Sequence, residues 1–305
     1  MKAATVTIQY IQDIQQGNIR ALSRAISFIE NEAPGYESLL SALPQNNSTR
    51  IIGITGPPGA GKSTLTDALT ESLLKLDKKI AILCIDPSSP FSKGAVLGDR
   101  IRMGRWYDEP KVYIRSLATR GWLGGLHPKV LEITELLKFA AYDYILVETV
   151  GVGQSEVEIA GLADLTLVVL VPEAGDDIQT MKAGLMEIAD IFVVNKADRP
   201  EANRFVKNLQ QHLYPSLKHT AEHKPIFKTV ASTQEGIAEL STAIQAYFAQ
   251  SFSLEDRAGL LTEKAWQLIQ QKRMKNMSRS VLREEITQLL EKGTFNLYKL
   301  VEEKV

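Results

Sequence analysis

The sequence holds a single cysteine, Cys84, which excludes an internal disulfide and any metal site built from several thiolates. Inside the apolar run Ile80–Ile85 it reads as a buried strand residue. Histidine is scarce as well, confined to His127, His212, His219 and His223. His219 and His223, close to Pro225, read as surface residues rather than as the ligand cluster that delivery of nickel or zinc would need. There is no basic excess: 35 Lys and Arg face 36 Asp and Glu, for a net charge of −1. That balance offers no footprint for nucleic acid or an anionic membrane. The longest apolar stretch, Leu165–Val171, is far too short to span a bilayer. Met1-Lys2 leads into polar, Gln-rich sequence without the apolar core of a secretory signal. The expectation is a cytoplasmic protein with no nucleic-acid and no membrane partner.

What is present is an ordinary globular composition, 44% apolar and 23% charged over 305 residues. Ile19, Leu22, Ile26 and Ile29 form one helical stripe, with a shorter helix before Gly17. The stretch Glu32–Arg50, with Pro34, Gly35 and Pro44, reads as a hinge or linker. Strand-like runs follow at Arg50–Thr55, Ile80–Ile85, Val112–Ile114, Tyr144–Glu148, Leu165–Val171, Ile191–Asn195 and Ile226–Thr229, separated by helical stretches. Alternation of this kind predicts an α/β fold with a mostly parallel central sheet covered by helices on both faces. From Leu254 the pattern is helical only, with Leu261, Ala265, Leu268 and Ile269 in one stripe and Leu282, Ile286, Leu289 and Leu290 in another. The expected division is an N-terminal helical arm at 1–49, a nucleotide-binding domain at 50–253 and a C-terminal helical segment at 254–305. That last segment reads either as a cap on the parent domain or as an oligomerisation arm.

Gly56-Pro57-Pro58-Gly59-Ala60-Gly61-Lys62-Ser63-Thr64 carries the spacing G-x-x-x-x-G-K-[ST] between an apolar strand and a helix, the setting of a P-loop. Its glycines turn backbone N–H groups inward around an anion, and the helix N-terminus adds a positive dipole end. Lys62 reaches β- and γ-phosphates, and the Ser63 hydroxyl is a Mg²⁺ ligand in such a loop. Asn195-Lys196-Ala197-Asp198 ends another strand. An Asp at the fourth position accepts paired hydrogen bonds from guanine N1 and N2, which adenine cannot donate, so the expected ligands are GTP and GDP. Asn195 is placed to tie this loop to the phosphate loop, with the Lys196 stem across the base. A second guanine-facing loop is expected at Val230-Ala231-Ser232, where a backbone N–H meets O6; Val230 departs from the usual Ser there. Acids at strand ends and in Gly-containing loops, Asp86, Asp99 and Glu148, join Ser63 as candidate metal ligands, direct or through water. Gly151 is placed to sense a γ-phosphate. Gln154 is a candidate to orient the attacking water, with a structural role as the alternative. Arg120 is a candidate to stabilise transferred charge, with a plain surface position as the alternative.

Gly56–Thr64, Asp86-Pro87-Ser88-Ser89, Leu97–Met103, Ile114–Gly121, Glu148–Glu156 and Asn195–Asp198 together resemble the MeaB/ArgK GTPases that accompany adenosylcobalamin-dependent acyl-CoA mutases. The resemblance runs the length of the chain. It implies a P-loop fold of the branch shared with signal-recognition and metallochaperone GTPases, and Mg²⁺-dependent hydrolysis of GTP. It also implies a homodimer formed through the C-terminal segment. The work implied is to protect a mutase of the methylmalonyl-CoA or isobutyryl-CoA type and to gate its cofactor loading. By the same resemblance, Asp176–Met186 is a switch loop in which Asp176 and Lys182 couple mutase binding to hydrolysis. A metallochaperone-type GTPase and a small-molecule kinase of amino-acid transport are the alternatives; the first lacks its ligands and the second an acceptor site.

Overall fold

In the computed structural model, the apolar runs become seven strands of one parallel sheet: β1 (Arg50–Thr55), β2 (Ile80–Asp86), β3 (Val112–Ala118), β4 (Tyr144–Glu148), β5 (Leu165–Leu170), β6 (Ile191–Asn195) and β7 (Ile226–Thr229). Their spatial order is β3-β2-β4-β1-β5-β6-β7, every neighbouring pair parallel. The structure describes residues 2–44, 48–86, 103–119, 126–151, 155–172, 183–213, 224–250, 254–274 and 277–304. From β1 the chain builds outward to one side, returns as β4, then crosses β1 to build the other side. This reversal places a crevice at the C-terminal ends of the central strands, where ligands of open α/β sheets bind.

Side chains alternate along each strand, so each strand feeds two cores. On one face Ile51, Leu83, Ile145 and Val147 pack with α2 (Ile19–Glu30), α3 (Tyr36–Ser41), α5 (Val130–Phe139) and α6 (Ser155–Leu162). On the other, Ile52, Ile54, Ile82, Leu146 and Leu167 pack with α4 (Lys62–Leu74) and α9 (Ile237–Ala249). Towards β6, Val168, Leu170, Phe192 and Val194 meet Leu185 of α7 (Ala183–Ile188) and Phe205 and Leu209 of α8 (Ala202–Leu213). Each fully buried Ile or Leu contributes about 1.5–3 kcal/mol by leaving water. Cys84 is buried in β2 among the residues packed against α4 and α9.

The N-terminal helices, α1 (Lys2–Gln15) to α3, pack on the first face. Asn18 caps α2 by accepting from the Ala21 N–H at 3.0 Å. Ala21, Leu22, Ala25, Ile26 and Ile29 are buried, while Ile19 is exposed. At about 100° per residue, Ile19 falls roughly 90° from the centre of that buried arc, outside the stripe. The stretch expected as a hinge contains α3, whose Tyr36 and Leu39 are buried against the core. β3 runs on to Ala118, beyond the expected Ile114, because its polar Arg115 pairs with Glu30 (2.6 Å) and Ser27 (3.0 Å) of α2 instead of breaking the strand.

Residues Met1–Ser251 form one compact unit and Phe252–Val305 a second. The second is helical: α10 (Leu254–Met274), α11 (Arg279–Glu291) and α12 (Leu297–Lys304), with Lys304 paired to Glu285 at 2.8 Å. It is rich in exposed large apolar side chains, including Leu261, Trp266, Ile269, Val281, Leu290 and Val301. Among the described residues no helix is long and apolar enough to cross a membrane.

Candidate functional site

The phosphate-loop residues lie where β1 gives way to α4. Gly61, immediately before α4, has a left-handed backbone (φ 86°), and a Cβ there would run into the Asn195 side-chain amide. Pro58, Gly59 and Thr64 are exposed, whereas Ala60 is fully buried. Lys62, the first residue of α4, is buried with its ammonium turned back into the loop, donating to the carbonyls of Gly56 (2.9 Å) and Pro57 (3.1 Å). Across from it Gly151 is again left-handed (φ 84°), and a Cβ would meet the Lys62 ammonium and the Gly56 carbonyl. The backbone after β4 thus passes directly over the loop that holds the lysine.

Beside the lysine stands a buried carboxylate. Glu148, the last residue of β4, accepts from Ser63 Oγ at 2.6 Å on Oε1 and from Thr66 Oγ1 at 2.9 Å on Oε2. Hydrogen bonds to an ionised carboxylate are shorter and stronger than those between neutral groups. Asp86 is buried at the end of β2, beside β4 on the same edge of the sheet. Thr66 escaped the sequence reading. Its signal is a polar residue three after Ser63, on the same helical face. Asp99, Arg120, Gln154, Asp176 and Lys182 lie outside the described residues.

The Asn195 loop is joined to the phosphate loop by hydrogen bonds. Asn195 is buried; its Nδ2 donates to the Ala60 carbonyl (2.9 Å), and its Oδ1 accepts from Thr229 Oγ1 and the Ala231 N–H, both at 3.1 Å. Lys196, held in a left-handed backbone (φ 56°), donates from Nζ to the Gly59 carbonyl at 2.8 Å. Asp198 is exposed beyond it. In the neighbouring loop the Val230 N–H bonds to the Glu235 carbonyl and the Thr233 N–H to that of Val230. One buried amide therefore locks three segments: the phosphate loop, the Asn195 loop and the Thr229–Ser232 loop. A cationic cradle at one end and an exposed carboxylate at the other suit a nucleotide with its phosphates on Lys62 and its base towards Asp198.

A family model described as "Methylmalonyl Co-A mutase-associated GTPase MeaB" matches residues 22–292. The chain belongs to the MeaB family of GTPases. This MeaB-family chain is 42% identical over 291 residues to a relative from Pyrococcus abyssi, covering 94% of this chain and 88% of the relative. It is 36% identical to GTPase ArgK of Escherichia coli over 219 residues, 70% of this chain and 66% of ArgK. It is also 34% identical over 242 residues to the fused isobutyryl-CoA mutase of Geobacillus kaustophilus, 75% of this chain but only 22% of that longer protein. A crystal structure of a LAO/AO transport system kinase superposes with a TM-score of 0.65, covering 98% of this chain and 96% of that one at 24% identity. That likeness establishes a shared fold. The family resemblance and the α/β P-loop class expected from sequence therefore both hold.

Proposed function

We propose that this MeaB-family GTPase binds GTP and GDP, hydrolyses GTP in a Mg²⁺-dependent reaction, and uses the cycle to protect an adenosylcobalamin-dependent acyl-CoA mutase and gate its cofactor loading. The observation that carries the nucleotide reading is Asn195, whose three hydrogen bonds hold the phosphate loop and the base-facing loops in one frame. Asp198 pairs with guanine N1 and N2. The Ser232 N–H, which carries no intramolecular hydrogen bond among the described residues, is the donor for O6. Mutase association is the description of the family, and one relative is fused to isobutyryl-CoA mutase.

In hydrolysis a water attacks the γ-phosphorus while the bond to the β–γ bridging oxygen breaks, and GDP leaves with the electron pair. Phosphate oxygens replace the Gly56 and Pro57 carbonyls as acceptors for Lys62, so a buried ammonium meets the charge that develops on the leaving oxygens. Gly151 brings its N–H to the γ-phosphate, and Gln154 orients the water. The Ser63 hydroxyl donates its hydrogen bond to Glu148, which leaves the lone pairs of Ser63 Oγ for a cation. The donors here, a hydroxyl and the buried carboxylates of Asp86 and Glu148, are hard oxygens and fit Mg²⁺. Ser63 would hold it with Asp86, Asp99 or Glu148, directly or through water. When bound it supplies neutralisation of β- and γ-phosphate charge.

The exposed apolar residues of the Phe252–Val305 unit support a homodimer formed through that segment. Asp176 and Lys182 are assigned to coupling with the mutase, and the working compartment is the cytoplasm. Steady-state GTP hydrolysis with and without a purified acyl-CoA mutase from the same source tests the whole reading. Saturable stimulation establishes the partnership. Intrinsic GTP turnover that no mutase changes refutes the partnership and leaves the GTPase. Absence of any GTP turnover or binding refutes both.

A further inference from the structure

The solvent-side edge of α4 carries two carboxylates one turn apart, Asp67 and Glu71, and two other segments of chain converge on them. Arg105 follows the undescribed stretch that contains Asp99. Its guanidinium forks onto Asp67, Nε to Oδ1 at 3.0 Å and one terminal nitrogen to Oδ2 at 2.7 Å; the other reaches Glu71 Oε2 at 2.9 Å. The Trp106 indole N–H donates to the same Asp67 Oδ1 at 2.6 Å, and the Arg105 guanidinium stacks on the Trp106 ring, 4.3 Å from its centroid. Glu71 also accepts from Lys75 (3.0 Å) and from Gln234 Nε2 (3.4 Å), a residue of the loop after β7. The Lys75 hydrogen bond, then Arg105, hold the Glu71 carboxyl below the usual range.

An isolated surface ion pair has little effect on folding. This one differs in geometry. A two-pronged Arg–carboxylate pair backed by a stacked indole fixes direction as well as distance. It differs in position too. α4 begins with Lys62 and Ser63, the 103–106 segment lies just after Asp99 in the chain, and Gln234 follows the Val230–Ser232 loop. Met103 is fully buried in the same apolar cluster as Leu65 and Leu69 of α4, so the segment is seated by packing and oriented by Arg105.

We propose that Asp67 and Arg105 are positioning residues for hydrolysis. They clamp the chain leaving the Asp99 stretch to the outer face of the phosphate-loop helix, and Glu71 and Gln234 carry that reference to the base-facing loop. The proposal rests on the GTP-site reading above. Its effect falls on the alignment of catalytic groups rather than on ground-state affinity, because neither Asp67 nor Arg105 lies in the cradle that holds the nucleotide.

The test is GTP turnover, KM and thermal midpoint for the full-length wild type, Asp67→Asn, Arg105→Gln and the double variant. Each single change should lower kcat roughly tenfold, the scale of a sub-ångström misalignment, with KM moved less than about twofold. The double variant should be no slower than the slower single, since both remove one clamp. The midpoint should move by no more than about 4 °C. Kinetics equal to wild type, or losses in kcat that add across the two sites, overturn the clamp. If Asp67→Asn does not fold, Trp106→Phe keeps the packing and removes one donor; a lower kcat at unchanged KM supports the clamp and wild-type kcat overturns it. Wild-type protein that neither binds nor turns over GTP would instead overturn the GTP-site reading, so the two failures are told apart.

Discussion

Replacing Asn195 by Ala is the sharpest test of the frame that joins the two halves of the site. The side chain is buried and makes three hydrogen bonds, to the Ala60 carbonyl, the Thr229 hydroxyl and the Ala231 N–H. Truncation removes all three and leaves three polar groups inside the protein. At about 1 kcal/mol net for each bond, the loss is about 3 kcal/mol, rising where a stranded group stays dry. For a unit of this size that is a downward shift of roughly 6–12 °C in Tm. Thr229→Val removes one of the three bonds and should cost about 1 kcal/mol. The functional consequence is of similar size. With the loops no longer held in register, GTP and GDP affinities should both fall, by on the order of a hundredfold if most of that coupling is realised in the complex. Urea unfolding followed by far-UV circular dichroism gives the first quantity, and titration with a fluorescent guanine nucleotide gives the second. A loss of stability below about 1 kcal/mol, or wild-type affinity in Asn195→Ala, refutes the argument that this amide is the lock.

Lys62→Ala should abolish GTP hydrolysis while far-UV circular dichroism stays native; turnover at the wild-type rate removes Lys62 from phosphate binding. Asp198→Asn should shift preference from GTP towards xanthosine triphosphate, whose base offers the complementary groups, and undiminished selectivity for GTP means the base is read elsewhere. Deletion beyond residue 253 should yield monomers by sedimentation, and a truncated dimer sinks the tail assignment. Burial pushes the Asp190 carboxyl above its ordinary range, against hydrogen bonds from the Thr166 N–H (2.7 Å) and Tyr247. A raised folded-state value means its stabilising contribution is complete below the unfolded value and is lost as pH rises through the folded one. Asp190→Asn should therefore raise Tm at pH 7, with the gap to wild type closing towards pH 4; a gap independent of pH contradicts this.

Much of the site was legible because its chemistry is local. A phosphate cradle needs glycines and a lysine at fixed spacing between a strand and a helix, so Gly56–Ser63 announces itself with no knowledge of the fold. The strands were legible for a similar reason. Those buried on both faces are apolar throughout, and Leu165–Leu170 could hardly be anything else. Thr66 was not legible, because a threonine in a helix acquires a role only when a carboxylate is brought to it, and Glu148 comes from a strand 82 residues away. Asp67 and Arg105 were hidden in the same way, across 38 residues. Arg115 hid the length of β3, since a charge inside a strand looks like its end until Glu30 is placed opposite. Tyr36 and Leu39 sat among Pro and Gly residues that signal a break, and only the sheet face beneath them shows that the break is a packed helix.

The sequence by itself determined the fold class, the phosphate loop, the preference for guanine and the family, because each is written in residues that act over a few positions or in a period of two or 3.6. The tertiary structure decided what crosses the chain. It set Asn195 on Ala60, Ser63 and Thr66 on one carboxylate, and Arg105 on the outer edge of α4. Those pairings depend on strand order, with β4 inserted between β2 and β1, and strand order is fixed by how helices cover a sheet rather than by any single segment.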